Sequence, residues 1–269
     1  NTVKVEGDFD SLINWKIDLS ENEKKLCPKI FGRSFSNLEN IESPAWLKNR
    51  LLAVDQRPIS SIVDITNYIM IDLGRPLHAY DIEKIKGDCL TIKMSKKGDE
   101  FHALNGNVYE LDEGMLVISD KHGVDDLAGI MGGERTGVTE STTKMFLEAA
   151  IFDPISIAKT GRKLNINSDA RYRFERGLDY ESPEFVMNYA ASMIQKICGG
   201  NVSKVVSLEQ NHLTKKIKFD PNTTLKLTGV NIDNELSEKI LKKLGFQINS
   251  TKPVWDITVP SWRSDIDGV

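Results

Sequence analysis

The chain has 269 residues, a net charge of −4, 40% hydrophobic and 28% charged content. This is the composition of an ordinary soluble globular protein of one large domain or two smaller ones, and it excludes a strongly basic grip on nucleic acid over the whole surface. No apolar run approaches the ~20 residues that span a bilayer, the polar stretch 1–7 is not a signal peptide, and three scattered cysteines (Cys27, Cys89, Cys198) form neither a disulfide framework nor a zinc motif, so a reducing, cytoplasmic setting is expected.

Residues 1–25 are polar and poorly periodic and read as a linker or the end of a preceding domain. A strand is expected at 27–35. Ser43-Pro44 is a helix start with a capping side chain, followed by Trp46, Leu47, Leu51 and Leu52 as the apolar face. A second helix runs from about Ser60 to Leu73, with Ile62, Ile65, Thr66 and Ile69 at spacings of three and four. Thr66 and Asn67 are polar groups on a helix that turns an apolar side inward, and such groups need a partner. Gly74 stops the helix and His78 follows Pro76.

The period then changes to two. Strands are expected at 90–94 and in a hairpin through Asn105-Gly106, with more at 115–119, 126–130 and 145–151. Helices are expected from Asp153-Pro154 and from Ser182-Pro183, the latter ended by Gly199. Helices and hairpins without regular alternation predict an α+β fold of mixed and antiparallel sheets with flanking helices. A smaller α+β unit begins near 213, with a strand at 216–219, a helix at 235–244 burying Leu236, Ile240, Leu241 and Leu244, and a strand at 255–259. Residues 213–269 hold nine Lys/Arg and seven Asp/Glu, against 26 and 32 in the remainder. The missing initial Met and the ending at Val269 are those expected of a piece of a longer chain.

No phosphate-binding loop, dinucleotide fingerprint, zinc-protease motif or nucleophile elbow is present. Residues 128–134 (AGIMGGE) are either a plain turn or a close approach of backbone to a ligand. Glu148 lies inside an apolar strand, either facing solvent or as a buried acceptor. His78 is either a loop residue or a site residue, and 169–177 (DARYRFERG) either a salt-bridged connector or a phosphate-facing surface.

Taken in order, 63–68 (VDITNY), 74–81 (GRPLHAYD), 128–134, 146–150 (FLEAA), 169–177 and 260–263 (PSWR) resemble the β subunit of bacterial-type phenylalanyl-tRNA synthetase over nearly the whole chain from about Cys27. The resemblance implies a tRNA-editing module at 26–212 and the start of a small DNA-binding-like domain at 213–269. It implies an editing site at Thr66, Asn67, His78 and Glu148, with Ala128, Gly129, Gly132, Ser168 and Ala170 binding substrate. Asp265 would be the first carboxylate of a shared magnesium site whose other ligands lie beyond Val269, and one carboxylate does not hold that ion. Mg2+ and ATP would serve the whole α2β2 enzyme, with the α subunit, tRNA(Phe), tyrosine and phenylalanine as partners. Two departures stand out. Arg75–Tyr80 replaces a Gln-Pro-Met-His-Ala-Phe run, and Arg171-Tyr172 replaces a pair that is often Ser-His.

The residue types suit such a task. A pocket shaped for phenylalanine rejects tyrosine poorly, whereas a site that binds the phenolic hydroxyl can discriminate by a factor on the order of 10⁴. Glu148 is the expected acceptor of that hydroxyl. Thr66, Asn67 and His78 would hold the ester and a water, so no protein nucleophile is required. The alternative is a tRNA-binding scaffold without hydrolysis. A duplex-DNA binder is disfavoured by the lack of a basic recognition helix.

Overall fold

A computed structural model describes residues 4–210 and 214–268. They fall into two compact units, 4–178 with 182–210, and 179–181 with 214–268. The expected boundary at 212/213 lies outside the described residues. Both units mix helices and sheets, as expected of an α+β chain.

The larger unit is organised around strand Met145–Ile151, buried along its whole length. It pairs antiparallel with Lys29–Ser36 on one side and His78–Asp81 on the other. Asn201–Val202 and Val206–Glu209 extend the sheet beyond Lys29–Ser36. Successive strand side chains point to opposite faces. Met145, Leu147 and Ala149 therefore join Ala79 in a core under helices Ala45–Leu52, Ser61–Leu73 and Ser182–Cys198. Phe146 and Ala150 join Tyr80 in a second core, against a sheet in the order Asn14–Asp18, Cys89–Met94, Leu116–Ser119, Val124–Leu127, Met131–Gly132. Glu148 shares the parity of Phe146 and Ala150 and so points between the sheets.

Helix Ser61–Leu73 is started from a distance. Ile41 carbonyl accepts the Ser61 N–H at 3.0 Å and Asn40 Oδ1 accepts that of Ile62 at 3.1 Å. The buried Asp64 carboxylate accepts from the Ser43 hydroxyl at 2.6 Å and the Ile59 N–H at 2.8 Å, where the helix dipole favours an anion. Ser43 is thus spent on Asp64 rather than capping its own helix, whose buried residues are Leu47 and Leu51, while Trp46 and Leu52 are exposed. Ile62, Ile65 and Ile69 face the core. Thr66, Asn67 and Met70 form the adjoining stripe along a cavity. Gly74 ends the helix at φ +66, a left-handed conformation that costs glycine little. After it, the buried Arg75 donates from Nη1 to Ala150 carbonyl at 2.7 Å and from Nη2 to Ser182 Oγ at 2.6 Å, fastening the turn to the central strand.

The expected linker needs correction. Within it, Asn14–Asp18 is a strand pairing in parallel with Cys89–Met94, and Ile13 and Trp15 are buried. The segment is polar overall, yet its apolar residues alternate, and that is enough for an edge strand with one buried face.

In the smaller unit, Trp255–Thr258 is flanked antiparallel by Lys216–Phe219 and Gln247–Asn249, with helices Asn222–Thr228 and Asn234–Lys243. Its core is Phe246, Trp255, Ile257 and Val259. Of the four expected inward residues on the second helix, Leu241 packs against this core, while Leu236, Ile240 and Leu244 are exposed. A three-stranded sheet covers only a narrow stripe of that helix. Among the described residues no helix is long and apolar enough to cross a membrane.

Gly32 lies opposite Glu148, and a Cβ there would sit 2.1 Å from Phe146 Cζ and 2.6 Å from Trp15 Nε1. Gly32→Ala is expected to lower the unfolding free energy by about 1–3 kcal/mol through overpacking, measured by urea denaturation.

Candidate functional site

Between the two sheets and helix Ser61–Leu73 lies a cavity of about 260 Å³, near the lower end of small-ligand pockets. Thr66, Asn67, His78, Gly129, Gly132, Glu148, Ser168 and Ala170 all line it, although they come from segments as much as 104 positions apart. Ala128 does not. It is fully buried behind the wall and its N–H donates to Leu116 carbonyl at 3.2 Å.

Each wall has a local cause. Thr66 Oγ1 donates to Val63 carbonyl at 2.8 Å, three residues back on the helix, which fixes its rotamer. His78 and Tyr80 sit on the terminal strand with the same parity as Glu148. Gly132 is where it is because of His78: a Cβ would lie 2.2 Å from the imidazole Cε1. Gly129 turns the chain at φ +68. Ser168 ties two segments together, donating to Ile130 carbonyl at 2.6 Å and accepting the Arg171 N–H at 3.0 Å as the cap of helix Asp169–Phe174. Arg171, at one departure from the family pattern, is buried and donates to Glu175 Oε2 at 3.1 Å and Ile166 carbonyl at 2.6 Å, so it braces this wall from behind. Tyr172 is exposed.

The electrostatic centre includes two residues that were not among the expected site residues, Tyr80 and Asp126. The Tyr80 hydroxyl lies 2.8 Å from Glu148 Oε2 and 3.0 Å from Asp126 Oδ2, with all three side chains buried. Burial pushes Glu148 up to about 7, against the help of the Tyr80 hydrogen bond. Burial first, then the neighbouring Glu148, pushes Asp126 well above the usual carboxylate range. Tyr80 is raised by burial and by both carboxylates, and stays a donor. Burial lowers His78 to about 4, so its imidazole is neutral at pH 7. Its Nε2 stands 3.8 Å from Asp126 Oδ2, beyond hydrogen-bond reach, and lacks a partner among the described residues. The Asp125-Asp126 doublet inside a strand was the available signal for the second acid.

Asp265 is elsewhere, in the smaller unit, where Arg263 holds it bidentately at 2.8 and 2.9 Å. Among the described residues no group of three His, Cys, Asp or Glu side chains is placed to hold a metal ion. One carboxylate, paired here with a guanidinium, does not hold a divalent cation by itself.

A carboxyl raised by burial favours folding below its unfolded value, and that contribution is lost as pH rises through its folded value. For Glu148 the window runs from 4.5 to about 7. Asp126→Asn removes the adjacent acid. It is expected to raise unfolding stability at pH 8 by about 1–3 kcal/mol, the scale of a buried group lacking its partner, with the gain shrinking towards pH 5 in thermal melts.

The B3/4 domain family matches residues 26–199, and the tRNA synthetase B5 domain matches 217–268. The phenylalanine–tRNA ligase β subunit of Paramagnetospirillum magneticum is 44% identical over 97% of this chain and 33% of its own length. That of Gluconobacter oxydans is 43% identical over 98% of this chain and 32% of its own. The chain thus spans about a third of the curated relatives it matches. A solved N-terminal fragment of the phenylalanyl-tRNA synthetase β subunit from Pyrococcus horikoshii aligns with 98% of this chain and 73% of that one, at 15% identity and a TM-score of 0.44. The name of the two sequence relatives is the one the sequence motifs pointed to. By the match over its larger unit, the chain belongs to the B3/4 domain family.

Proposed function

We propose that this chain is part of a phenylalanine–tRNA ligase β subunit and that its cavity hydrolyses tyrosine wrongly esterified to tRNA(Phe). The observation that carries this reading is a cavity of amino-acid size with a buried carboxylate, Glu148, on the same lining as Thr66, Asn67 and a neutral His78. The whole ligase, with its α subunit, ATP and Mg2+, would charge tRNA(Phe) with phenylalanine. This chain would supply the correction step.

Water attacks the ester carbonyl carbon, the bond to the ribose oxygen breaks, and the proton released by the water ends on that oxygen. The Thr66 hydroxyl and the Asn67 amide orient the ester and the water. The neutral imidazole of His78, with Nε2 unpartnered, accepts or donates one further hydrogen bond. Held this low, His78 is a weak base, so its part is to position the water, and positioning alone is worth several kcal/mol of barrier. The amino-acid side chain lies towards Glu148, which accepts the phenolic hydroxyl that phenylalanine lacks.

In the assembled ligase, Glu148→Gln is expected to slow deacylation of Tyr-tRNA(Phe) by about tenfold or more, read by release of labelled tyrosine. An unchanged rate would remove Glu148 from this role. The imidazole of His78 should show no NMR titration midpoint between pH 5.5 and 8; a midpoint near 6.5 would mean that it is charged for part of the working range.

A further inference from the structure

The Glu148 carboxylate already has a phenol bound to it, one that belongs to the protein. Of the described residues, Tyr80 is the one that hydrogen-bonds it, and only at Oε2. Glu148 Oε1 has no donor among them and is not sealed in the core, and Glu148 lines the cavity. The same Tyr80 hydroxyl faces Asp126 Oδ2 at 3.0 Å. A phenol has one proton, which lies along one of these two lines at a time. The other close oxygen pair then needs a carboxyl proton between its members, so the three groups share two protons while one carboxylate stays ionised.

We propose that Tyr80 is a specificity-determining positioning residue of this cavity: by engaging Oε2 of Glu148 and Oδ2 of Asp126 from the core side, it leaves Glu148 Oε1 as the oxygen offered to the hydroxyl of a bound phenol. This deepens the reading of the cavity as a tyrosine site and rests on it. The alternation of strand His78–Asp81 places Tyr80 and His78 on one face, with ring centroids 4.4 Å apart and nearly perpendicular. The protein's own phenol therefore backs the carboxylate while the imidazole lines the cavity. Tyr80 is fully buried, so it does not touch the ligand and acts through Glu148. Four titratable groups face that carboxylate: Cys27, whose thiol is raised by burial and then by Glu148, together with His78, Tyr80 and Asp126. Tyr80 is the donor that favours the ionised carboxylate of Glu148, and Asp126, pushed well above the usual carboxylate range by burial and then by Glu148, holds the second proton. Without the Tyr80 hydroxyl, Glu148 keeps a proton to higher pH.

The test is calorimetric binding of L-tyrosine and L-phenylalanine to this chain, wild type and Tyr80→Phe, between pH 5.5 and 8.5. Wild type is expected to prefer tyrosine by about tenfold or more at pH 7.5, with the preference rising through neutral pH. Tyr80→Phe is expected to cut that ratio at least about fivefold, the scale of one lost hydrogen bond, and to move its rising limb to higher pH. A merely structural tyrosine would weaken both ligands alike and leave the limb in place. An unchanged ratio and limb in Tyr80→Phe overturns this proposal alone. A wild type that binds neither amino acid, or binds both equally, overturns the tyrosine-site reading and this proposal with it. If Tyr80→Phe does not fold, 3-fluorotyrosine placed at position 80 tests the same contact: a more acidic phenol is a stronger donor, so the limb should move to lower pH, and a limb that stays put overturns the proposal.

Discussion

Everything at this site depends on one strand being buried on both faces. Met145–Ile151 sits between a helical layer and a second sheet, so every residue on it is buried. An acid on that strand has only two destinations, and parity sends Glu148 into the space between the sheets. An ionised carboxylate is costly there unless donors are supplied. Tyr80 supplies one from the neighbouring strand, at the level where Phe146 fills the core, and the remaining oxygen faces the cavity. Fold and chemistry share one cause. The double burial that makes the strand a good core also makes its acid a proton-sharing group.

The second carboxylate raises the stakes. Two acids beside one phenol in a dry region cannot both be charged at ordinary cost, because like charges this close repel strongly where water does not screen them. The result is a compact polar network of three buried groups, with a neutral imidazole alongside. Such networks are rigid when their proton count is right and strained when it is wrong. The glycine at 132 belongs to the same economy of space, since its missing side chain is the room in which His78 stands.

Much of this was legible in the sequence, and the gaps have physical reasons. Helix Ser61–Leu73 announced itself by period and by Gly74, and the polar pair Thr66-Asn67 marked its cavity side. The direction of Glu148 was not legible. In a strand buried on both faces every neighbour is apolar, so no amphipathic pattern assigns a side. Tyr80 stood out only as a departure from a family pattern, and its role depends on a register with Phe146 that no local signal encodes. The strand at 14–18 was hidden because its polar positions outnumber its buried ones. In the smaller unit the apolar helix residues Leu236, Ile240 and Leu244 looked like a core face, but a three-stranded sheet is too narrow to cover them. Ser43 and Asp64, 21 positions apart, show the same lesson in miniature: a good capping residue was used for a longer-range bond.

The bond from Ser168 to Ile130 carbonyl closes the far wall across 38 positions, and the near wall comes from residues 66–78. No supersecondary piece of this chain contains even half of the cavity. Contacts of such long sequence separation form late, after loop-closure entropy has been overcome. The cavity is therefore a property of the completed unit. A nascent or partly opened chain presents the same side chains to water without any enclosure. Enclosure of the cavity and global folding switch on together, so proteolytic resistance of this unit is also a measure of the fraction in which the cavity is formed.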